Sequence, residues 1–212
     1  NTVSSGLKSL SIWAYKDGEE LKFNFCTGTV TADFSVASAP KLTFTFQALV
    51  TSVAANTNPV PTLTMWKRPF AVGPLNTSAM KLGATLVAGV LTGGTAFNFK
   101  TFNLDLANDV QFDDLASAST VGIYNRSPTL TVVLDLTVAA EVQKYTDMAA
   151  GTATSIGFDH GTGAGNILTW FLANAVITGV ADNVDGNKLL SELTFSLQDS
   201  AAFNDSVQLV AK

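Results

Sequence analysis

Apolar residues alternate with polar ones along most of this chain. Leu7–Tyr15 places Leu10, Ile12 and Ala14 on one side, and Leu21–Phe25 sets Leu21, Phe23 and Phe25 against Lys22 and Asn24. A period of two reads as a half-buried β-strand. The Asp17-Gly18 pair between these stretches is a hairpin signal. Thr29–Val36 continues the pattern, with Val30, Ala32, Phe34 and Val36 facing one way and Thr31, Asp33 and Ser35 the other. Lys41–Val50 is the clearest strand. Leu42, Phe44, Phe46 and Ala48 form its apolar face, and Thr43, Thr45 and Gln47 its polar one. Ala79–Leu91 alternates more weakly and is closed by a Thr92–Thr95 turn. Phe97–Leu106 and Leu130–Leu136 are further strands, separated by an acidic 107–121 loop and the Asn125-Arg126-Ser127-Pro128 turn.

One segment changes period. Val138, Val142, Tyr145 and Ala149 recur at helical spacing, which predicts a helix over 138–150 with one face packed on a sheet. Thr137 is placed to N-cap it, Glu141 lies near the positive end of its dipole, and Gly151 is placed to end it. Strands then follow at Thr152–Phe158, Ile167–Val180, Leu189–Gln198 and Ser206–Val210, with turns at 159–165 and 182–187. The pattern dissolves only between Ala54 and Leu75, where Pro59, Pro61, Pro69 and Pro74 punctuate the chain around Met65, Trp66, Lys67, Arg68 and Phe70. Long irregular segments of this kind are commonly functional. The expected fold is mainly β: one antiparallel β-sandwich or barrel domain over 1–212, of about nine or ten strands, with the single helix packed alongside.

Charge sharpens this picture. Only 14% of the 212 residues are charged, against roughly 25% in an average soluble domain. Mean hydropathy is +0.28. No stretch approaches the roughly 20 apolar residues of a membrane span, so the low charge points to a subunit that hides its surface against partners. Small Thr, Ser, Asn and Gly residues suit such packing because they cost little to desolvate and lose little side-chain entropy. The net charge of −5 and a single adjacent basic pair, Lys67-Arg68, exclude a surface that grips phosphate backbones. No signal peptide is expected at Asn1–Gly6. The lone Cys26 reads as a small buried hydrophobe.

The chemistry of catalysis is thin. His160 is the one histidine, and no G-x-S-x-G elbow accompanies it. The Gly161, Gly163 and Gly165 run lacks the Gly-Lys-Ser/Thr of a phosphate loop. Asp105, Asp109, Asp113 and Asp114 match no calcium-loop spacing. Neither an enzymatic activity nor a cofactor nor a metal is expected.

The order of short patterns nonetheless carries a resemblance. Gly28, Val30, Ala32, Phe34 and Ser35 precede the Leu42–Leu49 strand. Phe102-Asn103-Leu104-Asp105-Leu106 with Asn108 precedes the acidic loop. Tyr124-Asn125-Arg126-Ser127-Pro128-Thr129 leads into a strand and a helix ending Ala149-Ala150-Gly151-Thr152, and a run from Gly165 to Leu197 closes the series. Taken together they resemble the major tail tube protein of long-tailed bacteriophages.

The resemblance implies a structural virion protein of the phage tail, assembled in the bacterial cytoplasm. Its β-sandwiches form hexameric rings that stack into a hollow tube, and one sheet of each subunit joins a barrel that lines the lumen. DNA passes through the lumen to the host without specific binding. The implied partners are further copies of the chain and other tail proteins (tape measure, tail terminator, distal tail), with no membrane. On this reading Thr31, Asp33, Thr43, Thr45 and Gln47 line the lumen. Met65, Trp66, Lys67, Arg68, Phe70, Asp109, Phe112, Asp113 and Asp114 are the expected inter-subunit or inter-ring contacts, carried on long loops. Two other classes fit the composition: a carbohydrate-binding β-sandwich with Trp13, Trp66 and Trp170 as candidate aromatics, and the tube of a contractile injection system. Trp13 and Trp170 sit in apolar strands and are expected in the core.

Overall fold

The computed structural model describes residues 9–64, 68–199 and 205–212. Thirteen strands and one helix occupy the described residues: β1 (Leu10–Lys16), β2 (Glu19–Ser35), β3 (Lys41–Ala55), β4 (Met80–Val87), β5 (Val90–Phe97), β6 (Phe99–Asp105), β7 (Asn108–Leu115), β8 (Ala118–Arg126), β9 (Thr129–Leu134), α1 (Val138–Ala150), β10 (Ala153–His160), β11 (Leu168–Asp185), β12 (Lys188–Gln198) and β13 (Gln208–Ala211). They form two compact units. The first comprises 1–30, 43–68 and 106–126; the second comprises 31–42, 69–105 and 127–212.

The second unit contains the core. Its sheet runs β2-β6-β9-β12-β11-β10-β4-β5, with β2 contributing Thr31–Ser35 and β13 pairing the free stretch of β11. Register decides what is buried. Ala32, Leu104, Leu130 and Phe195 are cross-strand partners in one rung, and Phe34, Phe102, Val132 and Leu193 form the next such rung. All eight are buried. Side chains alternate faces along a strand, so aligned apolar rungs concentrate on one side.

The sheet curls on itself. Phe34 of β2 meets Phe158 of β10 at 5.4 Å and Trp170 of β11 at 5.6 Å, both edge-to-face, although several strands separate them in sheet order. Phe102 approaches Phe158 to 4.9 Å. These rings join the two halves of the sandwich.

The helix has the expected bounds and caps. Thr137 Oγ1 accepts from the Ala140 amide at 3.3 Å, and Gly151 closes it in the left-handed region at φ 62°. The covered face differs from the expected one. Val138, Val142 and Tyr145 are exposed, Val138 at 79%. Ala140, Lys144 and Met148 form the half-buried flank, and β11 is the strand the helix contacts. Lys144 Nζ closes on Asp147 Oδ2 at 2.7 Å, so this flank brings its charges already paired.

Four further expectations are corrected. The 79–91 stretch is two strands, turned at Ala88-Gly89, whose positive φ angles of 49° and 78° suit a tight hairpin. The 107–121 loop is the β7–β8 hairpin. Its alternation was masked by acids that face solvent. His160 ends β10 and is buried rather than lying in a turn. The described strands number thirteen rather than nine or ten.

Truncating Phe158, which is fully buried against three other rings, is expected to cost about 3–5 kcal/mol. Urea unfolding of Phe158→Ala measures this. A loss under 1 kcal/mol would mean that the two halves of the sandwich do not meet there.

Candidate self-association surface

The first unit is built from the same alternation but has almost nothing to bury it. β1 and β2 pair antiparallel through the Asp17-Gly18 turn, and β3 pairs with β2. Among the described residues β1 and β3 each pair with β2 alone, so both outer edges of this three-stranded sheet are free. Among the described residues Cys26 is its one buried hydrophobic side chain, while more than half of the exposed large hydrophobics belong to it.

β3 shows this most clearly. Phe44 is 57% and Val50 56% exposed, with Phe46 and Val53 also exposed. Phe44 and Phe46 stack in parallel at 6.0 Å. Among the described residues this face is largely exposed, with Leu10 and Ile123 near Phe44 and Phe46 only around a cavity. One close approach holds the sheet together. A Cβ on Gly28 would lie 2.1 Å from the Thr45 carbonyl oxygen and 2.7 Å from the Phe46 ring, so only glycine fits.

The β7–β8 hairpin is anchored at its root. Asn108 Nδ2 donates to the Gly28 carbonyl at 2.9 Å and the Asn108 amide to Thr29 Oγ1 at 3.2 Å. Gln47 Nε2 donates to the Val110 carbonyl at 3.0 Å. A cavity of about 250 Å³ remains beside the root, lined by Leu10, Phe44, Phe46 and Ile123 among others. The buried Asn108 Oδ1 lines it without a hydrogen-bond partner. Farther out, Phe112, Leu115 and Tyr124 are exposed. The acids are occupied locally: Tyr124 donates to Asp113, Ser119 to Asp114, and Gln111 to Asp109. Among the described residues no cluster of three or more His, Cys, Asp or Glu is arranged to hold a metal.

The sequence-predicted residues are distributed as follows. Thr43, Thr45 and Gln47 are exposed on β3 of the first unit. Thr31 and Asp33 are exposed on the second unit, Asp33 between buried Ala32 and Phe34 and Thr31 beside Ala32. Register adds partners there that sequence reasoning missed. Asp33, Asn103, Thr131 and Thr194 form one polar rung, and Thr31, Asp105, Thr129 and Ser196 another. The signal lay in the polar positions between the core residues of β6, β9 and β12. No lysine or arginine occurs in either rung.

Met65, Trp66 and Lys67 lie outside the described residues, as do the first eight residues, Leu7 and Lys8 of the expected first strand among them. Arg68 is exposed. Phe70 is half-buried, and the segment after it is tied into the second unit: Val72 is buried and exchanges backbone hydrogen bonds with Ala37 and Ser38. The free part of the irregular segment is shorter, with Val60 at 91% and Leu63 at 68% exposure. Trp170 lies in the core as expected. Trp13 does not; it is 49% exposed, with the Lys22 ammonium over its ring at 5.4 Å.

Among the described residues the first unit thus presents an exposed apolar sheet face with two open edges. The family model of the phage tail tube protein matches residues 2–199. The chain belongs to that family. No curated protein matches the sequence. Membership makes this a structural protein of the phage tail that self-assembles into a tube with other tail proteins. The tail tube subunit thus pairs a self-sufficient sandwich with a sheet that lacks a core of its own.

Unassembled tail tube protein is expected to bind the dye ANS at the open β3 face. Phe44→Ser with Val50→Thr lowers that fluorescence severalfold and changes folding stability by only about 0.5 kcal/mol, since both residues are exposed. Unchanged fluorescence would place the apolar surface elsewhere.

Proposed function

We propose that this tail tube protein forms hexameric rings that stack into the hollow tube through which DNA is delivered to the host. The observation that supports this reading best is the first unit's sheet, whose apolar residues are largely exposed and whose outer edges are unpaired among the described residues. Ring closure pairs such edges, removing the hazard that open strands carry. Stacking is heterologous association, which propagates into a filament.

The polar rungs supply the inner wall. Thr31, Asp33, Asn103, Asp105, Thr129 and Thr131 would line the lumen from the second unit, and Thr43, Thr45 and Gln47 from β3. Hydroxyls, amides and acids hydrate a passing polyanion and repel it weakly, so DNA slides without being held. A lysine at the same place would form phosphate contacts and slow it. The β7–β8 hairpin (with Asp109, Phe112, Asp113 and Asp114) and the 57–64 stretch would reach neighbouring copies, where Phe112, Val60 and Leu63 find apolar cover.

Concentrated protein is expected to form stacked rings or hollow tubes in negative-stain electron microscopy. Replacing 111–119 by a short turn should leave a folded monomer that no longer polymerises; normal tubes from that variant would remove the hairpin from the contact. Asn103→Lys with Thr131→Lys should assemble tubes of normal dimensions but lower the phage titre about tenfold or more. An unchanged titre would put these residues on the outer wall.

A further inference from the structure

We infer that His160 is a proton-sensitive latch that holds the 69–78 strap over one end of the second unit's core. The strap carries Val72 into that core and is tied down on both sides. Val72 exchanges hydrogen bonds with Ala37 and Ser38, the Ser78 amide donates to the Asp159 carbonyl at 2.9 Å, and the Gly161 amide donates to the Asn76 carbonyl at 2.7 Å. His160 sits at the centre, 7% exposed, its ring edge-to-face with Phe34 at 5.5 Å.

The hydrogen bonds determine its state. The ring donates to the backbone of Phe70, at one end of the strap. With Nε2 carrying the single N–H of a neutral imidazole, Nδ1 is an acceptor; Thr77 Oγ1, 2.9 Å away, donates to it in that tautomer and itself accepts from the Gly73 amide at 3.4 Å. Phe70, Gly73 and Thr77 are thus fastened to one neutral ring. Protonation turns Nδ1 into a donor, so the Thr77 hydroxyl must turn round to accept from it, and it places a charge in a buried site. No titratable side chain lies in the strap, in the 161–167 turn, or at Phe34, Thr169 and Trp170. Asp159 and Lys212 are the charged neighbours, and they are engaged with each other at 3.2 Å, with Thr169 also donating to Asp159.

Burial lowers the His160 pKa below its ordinary value, and the Phe70 hydrogen bond opposes this only in part. The folded form therefore favours the neutral ring. Its contribution is complete above the unfolded pKa of about 6.5 and is lost as pH falls below that value.

Hydrogen exchange of the full chain at pH 7.5 and pH 5.0, corrected for intrinsic rates, tests the latch. The Val72 and Gly161 amides should lose protection severalfold at the lower pH, while Leu193 in β12 keeps its protection. His160→Gln should abolish the difference between the two pH values. Equal protection of wild type at both, or the same loss in His160→Gln, would overturn the proposal. Should that variant not fold, the wild-type imidazole proton resonance decides: a midpoint below 6.5 supports the latch, and one at or above 6.5 overturns it. The lone histidine makes its assignment unambiguous.

Discussion

Register between β2, β6, β9 and β12 is the constraint on which the rest of the molecule depends. A slip of one residue at β9 would carry Leu130 and Val132 to the solvent face and bring Thr129 and Thr131 inward. Burying hydroxyls without partners costs on the order of 1–3 kcal/mol each, and exposing two aliphatic side chains costs a similar amount apiece. The correct register is therefore favoured by several kcal/mol over its nearest competitors. The same alignment that packs Phe34, Phe102 and Leu193 together sets the Asp33 and Thr31 rungs on the reverse side. Core and polar rungs are two faces of one pairing.

The two units divide what folding and assembly require. The second has aromatic rings interlocked across its sandwich. The first has strands, a Gly28 contact and hairpin anchors, but almost no interior. Such a sheet is marginal in water by itself. In the proposed ring, neighbouring copies would supply the missing cover, which would couple order in this unit to assembly.

Much of the fold was legible because period two and period 3.6 survive in the sequence. The helix bounds followed from Thr137 and Gly151, and the strand pattern from Ala32, Phe34, Leu104 and Leu193. Periodicity reports that a face is apolar, however, and not what covers it. Phe44, Phe46, Val138 and Val142 all keep correct spacing yet are exposed among the described residues. Other misses were local. Ala88-Gly89 is a weak turn signal beside Gly93-Gly94, so one hairpin was read as a single strand. Acids on β7 concealed a strand because they hydrogen-bond within the hairpin instead of marking a loop. Candidate wall residues on β6 and β9 became visible only when pairing aligned them with Thr31 and Asp33, since registers across sheets are not written in any one segment.

Cys26, the chain's one cysteine, is 2% exposed and its thiol points back to the Phe23 carbonyl. The native molecule therefore has no thiol readily open to reagents. Any cysteine introduced on an accessible position becomes a unique chemical address, without first removing the natural one. Bulky and small maleimides then separate a surface reached from the surrounding solvent from one reached only along a narrow bore.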